Sequence, residues 1–345
     1  MKKTVSSLWK DHKSPIPAVV HGDLAGQTVI VTGANTGIGF EATKHMASMK
    51  PGRLILACRN EAKGRLAVDP SFASVTAFVD KFEEDGGRLD ILIANAAVGT
   101  TVYRVTKDGW EESLQVNTLS TALLCLRLAP AWIVVINSEF HHFASFKNDM
   151  YDSPSVECIP VEVQNNSLTT RSSRVGSRYN ETKLLVTFFI RSLSDLLKGT
   201  GVVVTTVTPG YSYSEPNRDV KGVTRLIVHF LQNIMAHTTE EGSRQLIYAA
   251  VGSLENPESL NGLAEVNDHC LGAEGKKRQD QLWGHIIGEL VQVDSRLREL
   301  LSGPSFCWYW GLTGAEFKSS STPIIVRWGC YDPSELPMGV DRELL

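Results

Sequence analysis

Tyr179 and Lys183 stand four residues apart in the run Tyr179, Asn180, Glu181, Thr182, Lys183. On a helix that spacing puts both side chains on one face. A phenol is a poor acid at neutral pH, and a neighbouring ammonium stabilises the phenolate and lowers its pKa, so the pair makes a proton donor. Ser138 directly follows the apolar run 132–137, where a hydroxyl can hold a substrate carbonyl beside the tyrosine. The spacing alone is not selective, because Tyr103 and Lys107 repeat it. That second pair runs into Asp108 and Gly109, a break signal, and is assigned to a loop. His141 and His142 are read as loop histidines, since no carboxylate or cysteine cluster accompanies them, and no metal is expected.

A second group of residues is suited to phosphate. The β-branched run 29–32 breaks into Gly33, Ala34, Asn35, Thr36, Gly37, Ile38 and Gly39 and then into a helical stretch from Phe40. Glycines turn the backbone sharply and let an anion reach the N–H groups at a helix start, where the helix dipole favours negative charge. The glycine spacing departs from the commonest dinucleotide fingerprint, and a strand-to-helix turn with no ligand is the other reading.

The elements that must position these residues follow from patterning. Strands are predicted at 27–32, 53–59, 89–95, 132–137 and 202–208, and helices at 74–84, 109–127 and 179–198. This alternation implies an α/β fold: a doubly wound parallel sheet of Rossmann type with helices on both faces. Such sheets bind ligands at the carboxyl ends of their strands, which is where Ser138 falls. Two connections are cramped. Residues 60–68 leave no room for a crossover to another parallel strand, so that edge is lost or remodelled. The helix ending near Leu128 meets Pro130 and Trp132 almost at once. Tyr179 is predicted to open its helix. Leu185, Phe189 and Leu193 share one face, with Val186, Ile190 and Leu197 beside them, a coat broad enough to meet both the sheet and a partner subunit of a homo-oligomer. Residues 1–24 read as an N-terminal arm, 25–300 as the catalytic domain, and 301–345, with Gly303, Pro304, Pro323, Pro333 and Pro337, as an irregular tail.

Composition narrows the partners. The 345 residues are 42% hydrophobic and 21% charged, with a net charge of −4, giving no electrostatic reason to expect nucleic acid or an anionic membrane. The six cysteines are dispersed and suggest neither a zinc site nor a disulfide framework, so free thiols in a reducing compartment are expected. No apolar stretch follows Met1, Lys2 and Lys3, and no run is long enough to span a membrane; the expected location is the cytoplasm.

Together these residues resemble the short-chain dehydrogenase/reductase family, in the branch of retinol-dehydrogenase-like enzymes and fungal secondary-metabolism reductases, over roughly residues 25–297. The family's glycine motif matches Thr32 through Gly39. Its sheet motif, usually N-N-A-G, appears as Ala94, Asn95, Ala96 and Ala97. Its catalytic asparagine, serine, tyrosine and lysine fall on Asn117, Ser138, Tyr179 and Lys183, and its P-G turn on Pro209 and Gly210, with Ser214 where a threonine is more usual. The resemblance implies hydride exchange at a nicotinamide while Tyr179 exchanges the proton, with Lys183 also binding the nicotinamide ribose and Asn117 holding a water of the relay.

It further implies a cofactor site built from Gly33, Asn35, Thr36, Gly37, Ile38, Gly39, Arg59, Asp69, Asn95, Tyr179, Lys183, Pro209, Gly210 and Ser214. Arg59 stands where an acidic residue would bind a ribose 2′-hydroxyl; an arginine suits a 2′-phosphate, so NADP(H) is expected over NAD. Asp69 matches the adenine-contacting aspartate, although Pro70 follows it. In this family the region between Gly210 and Thr238 covers the substrate. Here it carries Leu226, Ile227, Phe230, Leu231 and Ile234, so a lipophilic alcohol, aldehyde or ketone is expected, an ordinary core helix being the other reading. Relative to the family's layout the chain is short by about one helix–strand unit after Arg59 and by roughly two helical turns before Trp132, and its last ~45 residues match nothing in it. The rival function is therefore a catalytically impaired NADP-binding protein, a truncated variant serving as sensor or scaffold.

Overall fold

The computed structural model describes residues 16, 18–58, 71–100, 102–144, 168–198, 200–210, 212, 236–252, 267–302 and 324–327, with side chains described except in 168–177, 302 and 324–327. In chain order the elements are β1 (Thr28–Thr32), α1 (Gly37–Ser48), β2 (Arg53–Ala57), α2 (Phe72–Glu84) and β3 (Ile91–Ala94). Next comes a composite helix α3, made of Glu112–Leu114, a π-helical turn Gln115–Ser120 and Thr121–Leu128. Then follow β4 (Trp132–Ile136), a 3₁₀ turn (Glu139–Phe143), α4 (Leu168–Leu196), β5 (Val203–Thr208), α5 (Thr239–Ile247), α6 (Gly272–Val293), α7 (Arg296–Ser302) and β6 (Ile324–Arg327).

The strands pair in the order β2-β1-β3-β4-β5-β6, all parallel. β3 joins β1 on the side opposite β2, so the winding reverses between β1 and β3, and the crevice that open α/β sheets use for ligands lies at their carboxyl ends. The expected doubly wound sheet is present. β2 is its outermost described strand on one side; the short 60–68 connection, on which the expected loss or remodelling of that edge rests, lies outside the described residues.

Both faces are covered because the central strands are apolar throughout: Ile91, Leu92, Ile93, Ile133 and Val134 are fully buried. One face carries α2, α3, α4 and α6, and the other α1 and α5. The abrupt return before Trp132 is made by one residue, Ala129, in the left-handed region at φ 40°, which lets the chain leave α3 and enter β4 within three residues. Without a glycine there, the turn carries about 1 kcal/mol of backbone strain.

Four expectations change. The Tyr179 helix begins at Leu168, so Tyr179 sits inside it rather than opening it. The helix expected at 109–127 starts at Glu112 and is interrupted by the π turn. The tail is not wholly an appendage, for Ile324–Arg327 pairs with β5 from Thr205↔Ile324 to Thr208↔Arg327. Within the arm, Leu24 is fully buried against β1 and α1, so the domain reaches back past residue 25. The apolar coat of α4 is also accounted for within the chain. Phe189 stacks on Trp283 of α6 with ring centroids 5.7 Å apart, and Leu282, Ile286 and Leu290 of α6 are buried in the same core. That face is closed to a partner subunit, and the reason for expecting a homo-oligomer through it is removed.

Candidate active site

The carboxyl ends of β1, β3, β4 and β5 gather most of the singled-out residues at one edge of the sheet. On the β1 side, Gly33 and Gly37 adopt left-handed φ values of 65° and 61°, and the Gly33 N–H donates to the Ala57 carbonyl at 2.8 Å, fixing the loop to β2. Gly39 has ordinary φ, but a Cβ there would stand 2.2 Å from Asn95 Nδ2 and 2.5 Å from the Gly33 oxygen. Its missing side chain is what lets α1 approach the loop.

Asn95 is the pin between β3 and this loop. Its Nδ2 donates to the Thr32 carbonyl at 2.9 Å and the Gly33 carbonyl at 3.3 Å, while Thr32 Oγ1 accepts the N–H groups of Asn95 and Ala96, both at 2.9 Å. Its role is to hold the loop's shape. Asn35 and Thr36 are exposed and Ile38 is half-buried. Thr36 is the N-cap of α1 but makes no side-chain cap, and the first turn holds no acidic residue. The positive end of this helix is therefore left without an internal anion, which fits a phosphate-bearing ligand.

On the β4 side, Ser138 continues the strand direction and caps the 3₁₀ turn. Its Oγ accepts the Phe140 N–H at 3.3 Å and is hydrogen-bonded to the Tyr179 side chain. Lys183 is buried; its Nζ lies 5.7 Å from the Tyr179 ring centroid and donates to the Ile136 carbonyl at 2.9 Å, two residues before Ser138. Burial pushes the Lys183 ammonium down to about 7. Burial also raises the Tyr179 phenol above its ordinary value, an effect the Ser138 hydrogen bond only partly offsets. The expected lowering of the tyrosine pKa by the lysine is thus reversed. Lys183 is buried and Tyr179 half-buried, which disfavours the charged form of each, and near neutrality Tyr179 keeps its proton.

Asn117 lies in the π turn of α3. Its Oδ1 accepts the Val98 N–H at 2.8 Å, and its Nδ2 donates to the Val98 carbonyl at 2.8 Å and to Thr182 Oγ1 at 3.1 Å. Both amide hydrogens are engaged, so the side chain clamps the chain after β3 to α4 instead of holding a water through them. Thr182 in turn donates to the Tyr179 carbonyl at 2.8 Å. Thr187 links the helix to the sheet, donating to the Lys183 carbonyl at 3.1 Å and accepting Asn137 Nδ2 at 2.9 Å. Thr182 and Thr187 are positioning residues that the motifs do not include, and Thr32 enters them only as the first residue of the glycine motif. Their signal was a hydroxyl at i+3 from Tyr179, at i+4 from Lys183 and immediately before the first glycine.

His141 and His142 lie in the 3₁₀ turn after β4 and are buried, and desolvation holds their imidazoles down to about 4 and about 3. His141 Nδ1 bonds the Ser138 carbonyl at 2.6 Å and the His141 carbonyl accepts Asn267 Nδ2 at 2.7 Å, anchoring the 3₁₀ turn. Among the described residues no three histidines, cysteines or carboxylates gather as a metal site. Tyr103 and Lys107 lie in the loop between β3 and α3, as expected. Pro209 and Gly210 end β5, and Ser212 Oγ donates back to the Pro209 carbonyl at 2.8 Å. Arg59, Asp69, Ser214 and the apolar stretch 223–235 lie outside the described residues. No described helix is long and apolar enough to cross a membrane.

Comparison with known proteins agrees with this geometry. A family model described as short chain dehydrogenase matches residues 27–154. A short chain dehydrogenase of Arthrobotrys oligospora is 31% identical over 304 residues, covering 79% of this chain and 94% of the relative. One of Alternaria solani is 34% identical over 275 residues, covering 70% and 90%. A crystal structure of a short-chain type dehydrogenase/reductase from Mycobacterium marinum is similar at 16% identity and a TM-score of 0.48, covering 68% of this chain and 92% of that one. With a fungal relative matched at 31% identity over nearly its whole length, and the glycine loop and the Ser138–Tyr179–Lys183 cluster on one sheet edge, the chain belongs to the short-chain dehydrogenase/reductase family of oxidoreductases.

Proposed function

We propose that the protein is an NADP(H)-dependent oxidoreductase interconverting a lipophilic alcohol and its ketone or aldehyde, in secondary metabolite biosynthesis and in the cytoplasm. The observation that carries this reading is the convergence of a Ser138-bonded, protonated Tyr179 with a buried Lys183 at the ligand-binding edge of the sheet. When bound, the nicotinamide cofactor supplies or accepts the hydride. Tyr179 then gives its proton to the carbonyl oxygen in reduction and takes it back in oxidation, while the Ser138 hydroxyl holds that oxygen. Lys183, set to change charge near neutrality, stands beside the phenol and would bind the nicotinamide ribose. Asn117 acts as a positioning residue through its clamp on Val98 and Thr182.

The uncapped start of α1, with Gly33, Asn35, Thr36, Gly37, Ile38 and Gly39, would hold the pyrophosphate. Arg59, two residues past β2 in the sequence, would hold the 2′-phosphate; Asp69 would meet the adenine, and Pro209, Gly210 and Ser214 the nicotinamide end. The impaired-binder reading is favoured by one observation, β2 standing as the outermost described strand beside the glycine loop. A panel of aldehydes and ketones assayed with NADPH and NADH separates the two. Turnover with NADPH that Tyr179→Phe lowers by about three orders of magnitude or more is expected for the enzyme. Tight NADPH binding with no turnover of any substrate would establish the binder instead.

A further inference from the structure

The 3₁₀ turn that carries Ser138 also presents two phenylalanines to the outside. Phe140 is 46% exposed and Phe143 38%, although both are large apolar rings within a turn otherwise anchored by buried histidines. Their ring centroids are 6.2 Å apart, and the Phe140 ring meets Tyr179 edge-on, with centroids 6.2 Å apart and planes at 73°. Phe140 also donates its backbone N–H to the Ser138 hydroxyl. One residue therefore touches both groups assigned to the reacting oxygen, and its ring is exposed beside them.

We propose that Phe140, with Phe143 behind it, is the specificity-determining wall of the substrate site and selects carbonyl or alcohol substrates bearing an aromatic ring next to the reacting carbon. This rests on the oxidoreductase reading above and names its substrate class. Aromatic rings prefer offset or edge-to-face neighbours at centroid separations of about 4.5–7 Å, and Phe140 and Tyr179 already stand in that relation. A substrate ring completes the arrangement while its carbonyl oxygen meets Ser138 and Tyr179. The wall is held before the substrate arrives, because His141 Nδ1 bonds the Ser138 carbonyl and Asn267 bonds the His141 carbonyl. Ordering it costs little on binding, so the contact appears as affinity. An aliphatic ring of the same size fills the volume but offers no π-face.

Acetophenone and cyclohexyl methyl ketone share a carbon skeleton and differ in that face, and they make the test with the full-length protein and NADPH. The wild type is expected to prefer acetophenone by about tenfold in kcat/KM, mainly through KM. Phe140→Leu should bring the ratio of the two ketones close to one, and Phe140→Tyr should restore it. Titration calorimetry of acetophenone against wild type and Phe140→Leu supplies a readout that needs no turnover. A wild-type enzyme without preference, a Phe140→Leu variant that keeps the preference, or equal acetophenone affinity in both proteins overturns the inference. Loss of acetophenone binding in Phe140→Leu, together with no turnover of either ketone by the wild type, upholds the wall, and the oxidoreductase reading is then decided separately by the wider aldehyde and ketone panel.

Discussion

Lys183 shows how this site sets function against stability within one side chain. Its ammonium is buried, its described hydrogen-bond partner is the neutral carbonyl of Ile136, and burial takes its pKa from the ordinary 10.5 to about 7. Between those values the unfolded chain binds a proton that the folded chain does not, so this group makes stability rise with pH from about 7 toward 10.5. Lys183→Met keeps the apolar stem and removes the charge. It is expected to stabilise the cofactor-free protein at pH 7 by about 1 kcal/mol or more, to flatten that pH slope, and to abolish turnover. Denaturant unfolding at pH 7 and pH 9, run beside the carbonyl assay, checks all three; a destabilised variant at pH 7 would show that the ammonium is better compensated than its surroundings indicate.

Two short elements decide whether the residues meet. The glycine loop and the start of α1 form one piece with β3, because Asn95 reaches back to the carbonyls of Thr32 and Gly33. Gly39→Ala would drive a methyl group into that junction, where the backbone oxygen of Gly33 cannot yield as a flexible side chain would. A loss of about 1–3 kcal/mol of stability is expected, with NADPH affinity falling by tenfold or more as the loop shifts. Thermal melts and a fluorescence titration with NADPH measure the two effects separately, and unchanged cofactor affinity would deny the loop its assigned role. The π turn of α3 does comparable work for Asn117. Thr121 Oγ1 bonds the Val116 carbonyl five residues back at 3.2 Å, and the widened turn brings Asn117 to both Val98 and Thr182. A regular helix, as patterning predicts, would carry the following residues round by a different angle.

Across the whole molecule, an ionic cluster with a buried Arg127–Asp294 pair at its centre ties together pieces distant in sequence. Arg127 at the end of α3 is 2% exposed and pairs with Asp294 after α6 and with Asp80 and Glu83 of α2, the last two at 3.2 and 3.0 Å. Arg296 joins them, reaching Asp294 at 3.0 Å and Asp80 at 2.7 Å. Burial alone would raise the two aspartates, but hydrogen bonds and charges from Arg296 and Arg127 outweigh it and hold both below the ordinary 3.8. A carboxylate with a depressed folded pKa stabilises the fold above its unfolded value and loses that contribution as pH falls through its folded value. Acid unfolding should therefore set in from about pH 4 downward. Arg127→Met, which leaves Asp294 with Arg296 as its cation, is expected to cost on the order of 3 kcal/mol at pH 7 and to weaken the acid dependence. Urea unfolding at pH 7 and pH 3 checks it, and equal stability of variant and wild type would show the cluster to be dispensable.

The sequence by itself determined the strands, their alternation with helices, the glycine loop and the identity of Ser138, Tyr179 and Lys183. Each is written in local pattern: β-branched runs, glycine spacing and a four-residue repeat on one helix face. What only the tertiary structure decided depends on who neighbours whom. The tyrosine pKa moves up rather than down because burial, which no spacing reports, outweighs the effect expected of the lysine. The coat of α4 is spent on α6, so the surface that suggested a partner subunit is interior. Ile324–Arg327 becomes a strand because β5 offers it an edge, and Phe140 becomes part of the site because a 3₁₀ turn pinned by buried histidines sets its ring against Tyr179.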